Sequence, residues 1–128
     1  MITQMIVVEQ STDDFADQLL ALDGVFHVVA VNRHSEIIVN RAKNFDVSET
    51  FLNSFQNTAM RLSIIRTAAN VYQGPAGTFR SALLEYDRVA LLLLPVEDST
   101  VGIVLLKEHA TPALIDRTKT IIANTRTL

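Results

Sequence analysis

Three histidines, at positions 27, 34 and 109, and two adjacent acid pairs, Asp13-Asp14 and Glu97-Asp98, are the side chains of this chain best suited to chemistry. Zinc or iron would need histidines paired at short ligand spacings, and no two of these have such a spacing. His27 interrupts an apolar run, which predicts a hydrogen-bonded, partly buried imidazole. His34 lies in a polar turn and His109 just before a helix cap, so both are expected in solvent. Paired carboxylates can divide the roles of general acid and general base only where a desolvating cleft separates their pKa values. Each acid pair lies instead in a cap or turn, where acids are at home for structural reasons.

Other nucleophiles and phosphate cradles fare no better. The chain has no cysteine, hence no thiolate nucleophile, thiolate zinc site or disulfide. Its serines lack a nucleophile elbow. The stretch "QGPAGT" follows a helix and lacks the Gly-Lys-Ser/Thr that holds phosphate, so it reads as a turn. The sequence therefore predicts no catalytic residue, no metal and no cofactor, and a protein that is not an enzyme.

With 128 residues, 48% of them apolar, and a mean hydropathy of +0.24, the chain has the material for one globular domain with a real core. A net charge of −3 argues against a nucleic-acid partner, which calls for a concentrated basic surface. The opening "MITQMIVVEQ" lacks the basic region of a signal peptide, and no apolar run approaches the roughly 20 residues of a membrane span. A cytoplasmic protein without membrane insertion is the expectation.

The elements that must position any site follow from patterning. Residues 1–10 form an N-terminal extension readable as a leading strand, a helix extension or an arm; residues 11–128 read as a single domain. Ser11 and Asp14 open a helix that carries Phe15, Leu19 and Leu22 and stops at Asp23-Gly24. Val25–Val31 is a strand, "NRHS" a turn, and Glu36–Arg41 a second strand. Asp46 and Glu49 open a long helix, about Val47 to Tyr72, that "QGPAG" ends. "TFRSALLEY" (78–86), Val89–Leu94 and Val101–Leu106 read as three more strands. Thr111-Pro112 caps a last helix with Leu114, Ile115, Ile121, Ile122 and Leu128 on one stripe.

A strand solvated on one face alternates; Val25–Val31, Val89–Leu94 and Val101–Leu106 do not, so both their faces must be covered. Glu36–Arg41 and "TFRSALLEY", with Thr78, Arg80, Ser81 and Glu85 among their apolar residues, read as edges. The prediction is an α+β fold: a five-stranded antiparallel sheet between helical layers. On the long helix Val47, Phe51, Phe55, Leu62, Ile65 and Ala69 share the core-facing side. Met60, Ile64, Ala68 and Val71 collect on nearly the opposite side. That second face needs a partner, either a second copy or, failing that, a loop or the N-terminal segment. Arg61, Arg66 and Arg80 could form a basic patch beside it, for an acidic protein surface or as solvated salt-bridge partners.

This order of elements, with "ALDGVFHVVAVN" leading into the first strand and "FRSALLEYDRVALLLLP…VGIVLLK" forming the later triplet, resembles the dynein light chain roadblock family over roughly Phe15 to Thr125. The first hairpin, "NRHSE", lacks the Gly that the family often has there. The resemblance implies a three-layer α/β/α sandwich of sheet order 2-1-5-4-3. It also implies homodimerisation through the long helix and third strand, which carries over to Met60, Ile64, Ala68, Val71, Phe79 and Ser81. Family dimers act as platforms for small Ras-like GTPases, some of them stimulating GTP hydrolysis by positioning, or as cargo adaptors on motors. A homodimeric platform for a small GTPase is therefore the first expectation. A small-ligand sensor of the profilin-like or PAS-like type is the alternative, and a hydrolase or transferase comes third.

Overall fold

The three runs without polar alternation lie side by side. In the computed structural model, which describes residues 15–43, 58–71 and 73–125 apart from the side chains of 58–61 and 73, they form the middle of a five-stranded sheet. The strands are β1 (Val25–Val31), β2 (Ile37–Ala42), β3 (Ala82–Glu85), β4 (Val89–Val96) and β5 (Ser99–Leu106), in the order β2-β1-β5-β4-β3. All four pairings are antiparallel. The central and edge strands are those expected, because a strand covered on both faces has no reason to alternate. The longer helices among the described residues are α1 (residues 15–20), α2 (Thr58–Asn70) and α3 (Pro112–Ala123), with single helical turns at Gln73–Ala76 and Lys107–His109.

One face of the sheet packs against α1 and α3. Phe15, Ala16, Leu19 and Leu22 from the first helical segment and Leu114 and Ile122 from α3 bury against Val28, Ala30, Leu92, Leu94, Val101, Ile103 and Leu105. Each fully buried aliphatic side chain contributes about 1.5–3 kcal/mol relative to exposure. A bulge between Val25 and His27 turns Val25 onto this same face. The opposite face, under α2, holds a smaller cluster of Val29, Val31, Leu62 and Leu93 with Ile65, Ala82, Leu84 and Leu91 packed around it.

The joints follow from local chemistry. Gly24, at φ +93°, turns the chain from α1 into β1, and a Cβ there would come within 2.3 Å of His109 Cβ, so only glycine fits. Lys43 Nζ donates to Leu22 O at 2.7 Å, and Arg41 pairs with Asp17 at 2.6 Å, tying β2 to α1. The hairpin "NRHSE" dispenses with glycine: Asn32 Oδ1 accepts from the backbone N–H of His34 and Glu36, while Ser35 takes the left-handed conformation at φ 64°. Thr111 accepts from Leu114 N, and Pro112 opens α3 as expected.

Three boundaries differ from the sequence reading. The segment "QGPAG" is not simply a turn, since Gln73–Ala76 forms one helical turn, whose early position tolerates Pro75. The strand expected over 78–86 is only Ala82–Glu85. Conversely, β4 and β5 each run two residues further toward the turn between them and enclose Pro95 and Ser99, leaving only Glu97-Asp98, with Glu97 at φ 55°, as the turn. The shortness of β3 has a local cause. The β3–β4 register ends at Ala82↔Leu93, and continuing it would set Arg80 against Pro95, which has no N–H to donate. Beyond Leu93, β4 has no β3 partner and tolerates proline as an edge strand does.

The N-terminal extension 1–10, the Ser11/Asp14 and Asp46/Glu49 caps, the core positions Val47, Phe51 and Phe55, Tyr72, and Leu128 lie outside the described residues.

Candidate interaction surface

The two sides of α2 have opposite fates. Leu62 is fully buried and reaches the sheet at Gly102, where an added Cβ would lie 3.2 and 3.3 Å from the two Leu62 methyl carbons. The single glycine in the β5 run thus lets the helix approach closely. Ile65 packs beside it on the cluster below. On the outer side Ile64, Ala68 and Val71 form a row at i, i+4 and i+7. Ile64 is 60% exposed, Val71 72%, and Ala68 is exposed too. The sequence-predicted second apolar face exists and is uncovered by any described residue. The side chains of Met60 and Arg61, assigned to this face and its rim, lie outside the described ones.

Two hairpin turns hold the helix in place. Arg66 Nη1 donates to Ser99 O at 3.0 Å and to Thr100 Oγ1 at 3.1 Å, and its Nη2 donates to Glu97 O at 2.9 Å. Ser63 and Ser35 share a hydroxyl hydrogen bond of 2.7 Å. The β4–β5 turn and the β1–β2 turn thus both grip α2, around a polar cleft of about 320 Å³ lined by Asn32, Arg33, Ser63, Arg66 and Asp98 among others. From the sequence, Arg66 is expected in a basic patch or a solvated salt bridge. Its Nη groups are instead engaged with backbone carbonyls and a hydroxyl, and its Nε is buried without a partner. No spacing in the sequence signals this clamp.

Beside α2 the sheet ends at β3, whose outer edge no described strand covers. Natural edges are blunted by charge or proline within the strand. The four residues of β3, Ala-Leu-Leu-Glu, hold one charge, because Thr78, Arg80 and Ser81 fall outside the strand. Glu85 pairs with Lys107 at 3.0 Å, and Leu83 is 40% exposed. Phe79 and Ser81 are half-buried and Arg80 is exposed, in the segment leading into the strand. The structure therefore sets the outer row of α2 over β1 and β5, with the open edge of β3 two strands further on in the same sheet, whose Ala82 and Leu84 join the cluster under the helix.

The histidines stand where the sequence placed them. His27 is buried, and its Nε2 donates to Asn40 Oδ1 at 2.6 Å. Burial pushes its pKa below the ordinary 6.5, against the opposing pull of that hydrogen bond. His34, which accepts from Arg33 Nε, and His109 are exposed. Among the described residues no group of three or more His, Asp or Glu side chains could hold a metal ion. No helix among them is long and apolar enough to cross a membrane. What this surface can do is bury apolar area and extend a sheet.

In sequence the chain matches no protein-family model and no curated protein. In fold it is similar to several solved structures. Myxococcus xanthus MglB superposes with a TM-score of 0.68 at 15% identity, over 91% of this chain and 86% of that one. An MglB with a tetrameric arrangement gives 0.66 at 10% identity, over 92% and 85%. A Roadblock/LC7 domain from Streptomyces avermitilis gives 0.64 at 12%, over 86% and 90%. The chain has the roadblock/LC7 fold, an α+β sandwich with the sheet order 2-1-5-4-3.

Proposed function

We propose that this chain is a non-catalytic interaction module that pairs with a second copy of itself through the outer row of α2 and the edge beside it. The resulting platform binds a small Ras-like GTPase. One observation carries the pairing: Ile64, Ala68 and Val71 form an exposed apolar row on the helix that covers the sheet face ending at the open β3 edge. A second copy would supply an identical row and an identical edge, the self-complementary arrangement that a two-fold dimer needs. Met60, Phe79 and Ser81 extend the same surface in this reading. The tetrameric arrangement of a similar MglB supports self-association of the fold.

The GTPase is assigned by analogy with the roadblock fold. Arg80, exposed and without an ion-pair partner among the described residues, fits an acidic partner surface near the seam, and Arg61 is assigned to the same role. Arg66 contributes by fixing α2 on the sheet. Light scattering at micromolar concentration should give the mass of two chains, and Ile64→Glu should reduce it to one. A single-chain mass for the unaltered protein refutes the pairing. A pull-down of Ras-like GTPases with and without non-hydrolysable GTP then tests the platform, and absence of capture in both states refutes that part.

A further inference from the structure

We propose that the groove between residues 78–81 and the C-terminal half of α3 docks an extended peptide segment of a protein partner, one that carries carboxylates beside an apolar side chain. The groove has a volume of about 590 Å³. Its floor is apolar: Leu94 and Ile122 are buried there, and Phe79 and Pro95 are half-buried. Its charged residues are Arg80 and Lys119, both exposed, and no acid lines it. Neither cation has an ion-pair partner among the described residues. Two like charges against a low-dielectric wall draw in carboxylates and disfavour basic segments.

A second, independent observation concerns the backbone. Residues 78–81 have no backbone hydrogen-bond partner among the described residues. The cause is the ladder's end at Ala82↔Leu93, with Pro95 unable to donate to the position that Arg80 would take. One wall of the groove therefore presents unmatched N–H and C=O groups at a sheet edge, which an extended peptide can pair by strand addition. Backbone pairing supplies affinity, the apolar floor takes one side chain, and Arg80 and Lys119 select acidic neighbours. An anionic membrane or a nucleic acid matches less well, because each needs a broad basic surface and this chain carries a net charge of −3.

Phe79 and Ser81 belong to both surfaces, so a second copy and the peptide compete for residues 78–81, and the test includes the Ile64→Glu chain, in which that competition is removed. A phage-displayed library of random short peptides is panned on the full chain, and the enriched peptides are synthesised and measured by fluorescence anisotropy. The expected result is enrichment of Asp or Glu next to an apolar residue. Affinity should drop by about tenfold in the Arg80→Glu/Lys119→Glu double variant, as for two lost exposed ion pairs. It should also drop in Ala123→Trp, which fills the groove without changing charge, and should hold or rise in Ile64→Glu. Backbone amide shifts should gather at residues 78–81 and 119–123. Circular dichroism confirms that these substitutions of exposed residues leave the fold intact. Four results overturn the proposal: no enrichment, enrichment of basic peptides, an affinity unchanged in both groove variants, or groove-dependent binding of anionic vesicles or single-stranded DNA without peptide binding.

Discussion

The two faces of the sheet differ in what covers them and in how that cover is attached. Against α1 and α3 the buried contact is a large apolar cluster drawn from two helices and four strands, with polar ties from Lys43 and Arg41 only at the α1 rim. Under α2 the cluster is smaller and includes the near-contact of Leu62 with Gly102. On the α2 side two hairpin turns also hold the helix through polar groups, Arg66 with Glu97, Ser99 and Thr100, and Ser63 with Ser35. The first face supplies stability by area. The second positions a helix whose far side must remain available, and a positioned helix needs directional bonds as well as burial. The difference teaches that stability and presentation are separated between the two layers of one small sheet.

If so, substitutions on the two faces should have different consequences. The largest loss of stability is expected from Ile103→Ala in the α1/α3 layer, about 2–5 kcal/mol as for deletion of a buried aliphatic group. Urea unfolding measures it, and a loss below about 1 kcal/mol would contradict the close packing of that layer. Arg66→Met removes three hydrogen bonds and should cost about 1–3 kcal/mol. It should also weaken self-association, because α2 loses its attachment to the β4–β5 turn; sedimentation at a series of concentrations separates the two effects.

His27 gives a smaller and pH-dependent effect. With its pKa lowered in the fold, the folded chain binds fewer protons than the unfolded chain once pH falls below the ordinary 6.5. Its contribution is therefore full above that pH and is lost progressively as pH falls from 6.5 toward the lowered value. The urea midpoint should fall over that window, and His27→Gln should flatten this part of the pH dependence. Ile64→Glu should change the stability of the single chain least, within about 0.5 kcal/mol, since its side chain lies in solvent. It should nevertheless abolish the two-chain mass. A large stability loss in that variant would show that another segment of the same chain covers the row.

Much of the fold is legible in the residues. Val25–Val31, Val89–Leu94 and Val101–Leu106 announce themselves as central because neither parity of side chains is polar. Ile64, Ala68 and Val71 announce an outer face by their helical spacing, and His27 announces burial by its neighbours. The end of β3 was not legible, because it depends on which β4 residue falls opposite Arg80, and register is a property of the pair. Nor was the role of Arg66. A long cationic side chain on a helix reads as solvated until the turn beneath it is known.

The sequence by itself determined which runs are covered on both sides, which side of α2 meets the sheet and where α3 is capped. Those outcomes depend on the local periodicity of apolar residues and on the chemistry of single turns. Only the tertiary structure decided that Arg66 clamps the Glu97–Thr100 backbone, that Pro95 frees residues 78–81 from the ladder, and that Arg80 and Lys119 flank one groove. Each of these joins residues far apart in the chain, and such contacts are fixed only when the sheet register and helix placement are fixed together.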